Sequence, residues 1–197
     1  MAYIMQIIIA SFTAIFVENI VFARALGTST LIHISRSRAN LSGFAVSVVY
    51  LTTVTGAVCY GIDIILSRFE HSVLYRPLIY VLILGIIYVI TLLCLWKFFY
   101  KAFRKMRKYV HVSAFNCAVL GAMFLNEKYC VSFSDYVIHG IGMGLGFVIA
   151  VYLSAIAYER LHSEEVPFCF RGYPAVLIYL GILSMAFYGL AGHSLTY

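Results

Sequence analysis

Charge is scarce in this sequence. Only 11% of its 197 residues are Asp, Glu, Lys or Arg, and eight are acidic, where an ordinary soluble domain is about a quarter charged. So few charges cannot cover the surface of a water-soluble fold of this size, which excludes a soluble enzyme with a polar shell. The five cysteines form no C-x-x-C pair. An odd, scattered set of thiols argues against a disulfide framework and against a zinc site built within one chain. No basic stretch precedes the first apolar run, so that run reads as a retained helix and not as a cleaved signal peptide.

What is abundant is apolar: 63% of the residues are hydrophobic and the mean hydropathy is +0.95. Disorder is thereby excluded, and the bilayer must be much of the solvent. Apolar stretches fall at about 3–31, 41–66, 74–99, 110–125, 134–158 and 173–191. Runs such as Ile79 to Ile87 are continuously apolar, without the alternation of barrel strands. The expected fold is therefore all-α and integral to the membrane, with six transmembrane helices in one domain covering 1–197.

Arg36, Arg38, Lys97, Lys101, Arg104, Lys105, Arg107, Lys108, Arg160 and Arg171 fall in the loops after the first, third and fifth spans, against Arg68, Arg76 and Lys128 on the other side. Ten basic residues against three place the first set in the cytoplasm and both termini outside. This distribution accounts for the net charge of +6 without a nucleic-acid partner, and the cluster from Lys97 to Lys108, with Lys101, Arg104, Lys105 and Lys108 on one helical face among aromatics, reads as a topology anchor. The glycine run at Gly140, Gly142, Gly144 and Gly146 lacks the Lys-Ser/Thr of a phosphate loop and has the small-x-x-x-small spacing of close helix packing. Cys59 and Cys94 read as small hydrophobes within spans.

Two spans are interrupted. The first contains Glu18, Asn19 and Arg24, and the short fourth contains Asn116. Ionisable residues inside a span suggest a functional site at the midplane; alternatively Glu18 and Asn19 cap a half-helix while Arg24 snorkels to the cytoplasmic interface. Asn116 follows Asn19 by 97 residues, and the same offset carries Gly43 onto Gly140. Two inverted three-helix repeats follow, one over about 1–100 and the other over about 101–197, with the first and fourth helices interrupted and a site between the halves.

Across essentially its whole length the chain resembles a known family, the paired six-helix membrane subunits of the Rnf and Na⁺-NQR electron-transport complexes, and specifically the RnfA (RsxA, NqrE-like) branch. The matching stretches are Val17-Glu18-Asn19-Ile20-Val21 with Ala25-Leu26-Gly27, Asn116-Cys117-Ala118-Val119-Leu120-Gly121, Ala157-Tyr158-Glu159-Arg160-Leu161, Val166-Pro167 with Phe170-Arg171-Gly172, and Leu183-Ser184-Met185-Ala186-Phe187 with Gly189-Leu190. The resemblance implies a non-catalytic subunit of an ion-translocating ferredoxin:NAD oxidoreductase in the bacterial inner membrane, coupling electron transfer to Na⁺ or H⁺ movement. It implies an inverted RnfE-like partner, further B-, C-, D- and G-type subunits, and a [2Fe–2S] centre shared with the partner, to which each chain gives one cysteine from each interrupted helix. Carried over, the second ligand is Cys117. The first falls in the family's Leu-Gly-x-Cys motif, which here reads Leu26-Gly27-Thr28-Ser29, so Ser29 stands where a cysteine is expected and marks a divergent member. A hydroxyl is a harder ligand than a thiolate and holds iron more weakly. A small inverted-repeat transporter binding a solute near Glu18, Asn19, Arg24 and Asn116, and a structural subunit that has lost its metal, remain the alternatives.

Overall fold

The computed structural model describes Met5, Ile9 and residues 11–36, 41–69, 72–164 and 166–191. Among them every regular element is helical: α1 (Thr13–Val17, wound as a π-helix), α2 (Thr28–Ser35), α3 (Leu41–Leu66), α4 (Ser72–Phe98), α5 (Tyr100–Ala114), α6 (Cys117–Tyr129), α7 (Phe133–Leu161) and α8 (Tyr173–Ala191). Three of them, α3, α4 and α7, are long and apolar enough to cross a membrane. The pair Phe103–Ala114 and Cys117–Tyr129, bent by 58°, is a fourth if counted as one broken span. The first unit falls short because its helix stops at Val17 and resumes only at Thr28.

The centre of the fold is the antiparallel pair α3 and α7, whose approach is set by glycine. A Cβ on Gly140 would stand 2.8 Å from the Thr52 carbonyl oxygen, one on Gly144 2.8 Å from Val49 Cα, and one on Gly56 3.0 Å from the Tyr136 carbonyl oxygen. Gly142 and Gly146 face the other way: their Cβ atoms would meet Ala14 Cβ at 2.7 Å and the Ile15 carbonyl oxygen at 2.9 Å. The small-residue spacing is thus a packing device, and both of its faces are used within this chain. Gly43 does not repeat the role of Gly140, since what lies over it is the Tyr109 ring, 2.5 Å from where its Cβ would be.

Two apolar clusters fill the bundle. Ile20, Phe22, Leu31, Phe44, Phe147 and Val176 join the first break and α2 to α3, α7 and α8, while Leu51, Cys59, Tyr80, Val119 and Met123 join α3, α4 and α6. Buried hydroxyls are satisfied by their own helices: Ser47, Thr52, Thr55 and Ser154 each donate to the carbonyl four residues back, which leaves no bare donor at these positions in an apolar interior. The outside is apolar too. Leu74, Leu78, Leu82, Ile86, Val89 and Leu93 are exposed along α4, as a lipid-facing helix requires. Cys59 is buried as expected, but Cys94 is exposed on α4. The basic stretch after the third span is not a loop: from Tyr100 it is helical, and α5 runs through it to Ala114.

Candidate functional site at two interrupted helices

Each interruption is organised by an asparagine. Asn19 is buried, and its Oδ1 accepts from the backbone N–H of Val21 at 3.1 Å and of Phe22 at 3.3 Å. Its Nδ2 donates to the carbonyls of Ile15 at 3.0 Å and Gly146 at 2.9 Å. One side chain thus replaces helix hydrogen bonds lost at the break and fastens the break to α7. Asn116, 97 residues later, repeats the capping part of this role: as N-cap of α6 it accepts from the Ala118 N–H at 3.1 Å. Its Nδ2 is buried without a hydrogen-bond partner among the described residues.

The two breaks meet at Gly27. Its φ of +78° starts α2 from the left-handed region, and a Cβ there would lie 2.5 Å from the Phe147 ring and 2.8 Å from Asn116 Oδ1. From this position the Gly27 N–H donates to Cys117 Sγ at 3.0 Å. Cys117 is the first residue of α6 and is exposed. Ser29 is exposed two residues beyond Gly27, in the first turn of α2. Ala25, just before, has φ +56°, a strained setting for a residue with a Cβ. The structure therefore brings Asn116 and Cys117 to the segment that carries Ser29.

Glu18 and Arg24 point elsewhere. Glu18 Oε2 faces His139 Nε2 at 3.8 Å, and His139 Nδ1 is 2.7 Å from Asn126 Oδ1. Arg24 is exposed and donates to the Tyr129 hydroxyl at 3.3 Å, at the end of α6 that carries Lys128. Sequence reasoning passed over His139 and Asn126. It also passed over Asp63, buried within α3, whose two carboxylate oxygens accept from Tyr80 at 2.6 Å and Tyr136 at 3.0 Å. The signal for Asp63 was the one that exposed Glu18, a carboxylate inside an apolar run. Between α6 and α7, burial pushes the Cys130 thiol up to about 12, helped by the carboxylates of Asp135 and Glu18.

Among the described residues no three His, Cys, Asp or Glu side chains are grouped to hold a metal ion. What this site offers is one thiol and one hydroxyl on neighbouring helix starts.

The chain matches the family described as "Rnf-Nqr subunit, membrane protein" over residues 7–194. It is 28% identical over 192 residues to the A-type subunit of the Na⁺-translocating ferredoxin:NAD⁺ oxidoreductase complex of Acetobacterium woodii, the match covering 97% of this chain and 100% of that protein. It is 28% identical over 176 residues to the A-type subunit of the ion-translocating oxidoreductase complex of Histophilus somni, covering 89% of this chain and 91% of that one. The corresponding protein of Shewanella loihica, with the same name, is 28% identical over 179 residues, with 90% and 93% covered.

Proposed function

This chain belongs to the Rnf-Nqr family of membrane subunits, and we propose that it serves as the A-type membrane subunit of an ion-translocating Rnf-type oxidoreductase complex. The observation that supports this role best is the contact between the two breaks, where the Gly27 N–H donates to Cys117 Sγ. It joins the two segments that the family resemblance assigns to redox ligands. In this reading the chain crosses the bacterial inner membrane six times as two inverted three-helix repeats, with both termini outside; the equivalent turns at Asn19 and Asn116 support the repeat.

The donor set fits a shared centre and not one held by this chain alone. Cys117, with Ser29 as a weaker alkoxide ligand, would supply half of the ligands of a [2Fe–2S] centre, and an inverted RnfE-like partner the rest. Such a centre, when bound, carries one electron at a time. The residues of this chain shape its surroundings: the Gly27 amide is aimed at the sulfur, and hydrogen bonds to sulfur are among the means by which a protein sets an iron–sulfur potential. Phe147 and Leu26 crowd Gly27 and Gly121, which holds the two segments in close packing beside the contact.

The test is made in the native membrane. A tagged copy of the chain should co-purify with flavin-bearing and ferredoxin-like subunits, and vesicles lacking the chain should lose ferredoxin-dependent NAD reduction and the accompanying ion uptake. A well-behaved monomer that transports a solute in liposomes without partners contradicts the proposal.

A further inference from the structure

α5 has two faces of opposite chemistry. Tyr109 and Val110 are buried and Met106 is half-buried, and the Tyr109 ring lies over Gly43 of α3, so this side fastens the helix to the bundle. Arg104, Arg107, Lys108 and His111 follow the i, i+3, i+4, i+7 spacing of a single face. With Tyr88 of α4 they line a cavity of about 470 Å³. Within it the Tyr88 hydroxyl and His111 Nδ1 are 2.9 Å apart.

The position of this groove along α4 makes it unusual. Tyr88 lies ten residues before the end of α4 at Phe98, about 15 Å along a helix at 1.5 Å per residue, and α4 is apolar enough to span the membrane. The cationic side chains thus reach toward the hydrocarbon layer, where unpaired charge is disfavoured. No Asp or Glu occurs anywhere from residue 72 to residue 114, so neither α4 nor α5 can neutralise them.

We propose that the groove between α4 and α5 binds the phosphate of an anionic phospholipid headgroup, with Arg104, Arg107 and Lys108 around the phosphate and the Tyr88–His111 pair beside it. Guanidinium pairs take phosphate oxygens in bidentate fashion, and a phenol adds a donor without charge. The ligand must be able to enter from the bilayer side, which a lipid does and a soluble anion does less readily. Exposed Trp96, Phe98, Phe99 and Tyr100, where α4 ends and α5 begins, belong to the headgroup level of a membrane. Basic pockets between membrane helices are known sites for acidic headgroups. The inference needs only the membrane setting and is independent of electron transfer.

The test uses the purified full chain in detergent, titrated with phosphatidylglycerol, phosphatidylcholine and inorganic phosphate while melting temperature is followed. Phosphatidylglycerol should raise it saturably and the other two should not. The R104Q/R107Q/K108Q variant should weaken the apparent affinity about a hundredfold, at about fivefold per basic residue. Y88F should weaken it while leaving the fold intact, and R160Q, outside the groove, should change nothing. Equal responses to phosphatidylcholine, or a triple variant that titrates like the wild type, would overturn the proposal. Saturation by inorganic phosphate alone would make this a free-anion site. If the purified complex holds no anionic lipid and the triple variant sheds one of its partner subunits, an acidic protein surface is the true occupant. Should the triple variant fail to fold, Y88F and the phosphate titration still decide.

Discussion

Replacing Asn19 by Ala should destabilise the protein far more than the same change at Asn116, although both organise an interrupted helix. The difference follows from their partners. Asn19→Ala deletes four hydrogen bonds and leaves the buried N–H groups of Val21 and Phe22 without acceptors. At about 1–3 kcal/mol for each unsatisfied buried donor, and about 0.6 kcal/mol for an average side-chain hydrogen bond within a membrane, the loss is about 3–7 kcal/mol. Asn116→Ala deletes one acceptor, for the N–H of Ala118, and removes an amide nitrogen that has no partner among the described residues; the cost is about 1 kcal/mol, typical of a lost N-cap. Thermal unfolding in detergent, at about 2–4 °C per kcal/mol for a chain of this size, should separate the variants by several degrees. If Asn116→Ala melts at or below Asn19→Ala, the hydrogen-bond account of the two breaks is wrong.

Other outcomes follow from the same geometry. Gly144→Leu should lose several kcal/mol, because even a Cβ there would lie 2.8 Å from Val49 Cα and backbone cannot yield as a side chain can; Gly181→Leu, with nothing within 4 Å of its Cβ position, should melt near the wild type, and parity between the two would contradict the packing of α3 on α7. Cys130, with its thiol pushed up to about 12, should be alkylated only slowly at pH 8, where about one such thiol in ten thousand is ionised, and its rate should rise about tenfold per pH unit up to pH 10 because the thiolate is the nucleophile; a plateau below pH 10 would contradict this. Exposed Cys169 should react with a membrane-impermeant maleimide only when the cytoplasmic side is opened, and labelling of intact cells would reverse the proposed orientation.

The interruptions were legible because an asparagine in an apolar span has few uses other than satisfying backbone. Asn19 and Asn116 perform that task. The glycine spacing was legible for the same kind of reason, since Gly140 and Gly144 admit a neighbouring helix; a period in one helix could not say that the neighbour was α3 of the same chain. The helix α5 was legible in part: Lys101, Arg104, Lys105 and Lys108 share one helical face in the sequence, and α5 is helical there, but the residues that hold it, Met106, Tyr109 and Val110, are recognisable only once α3 and Gly43 lie beneath them. Asp63 and His139 were missed because their partners are remote in sequence: Tyr136 lies 73 residues from Asp63, and the Glu18 that faces His139 belongs to the first break. A carboxylate in an apolar run marks Asp63, but the pairs themselves are created by the packing of α3 and of the first break on α7 and leave no local pattern.

The most direct measurement of the central claim is low-temperature paramagnetic resonance of the intact, reduced complex, made alongside iron analysis on wild type, Cys117→Ala and Ser29→Cys. If Cys117 ligates a shared iron–sulfur centre, Cys117→Ala removes one iron–sulfur signal and the electron transfer that depends on it. Ser29→Cys retains iron more firmly, because thiolate is the softer ligand, while Cys59→Ala and Cys94→Ala leave the signal in place. An unchanged spectrum, iron content and electron-transfer rate in Cys117→Ala would contradict the claim and leave the chain a structural subunit.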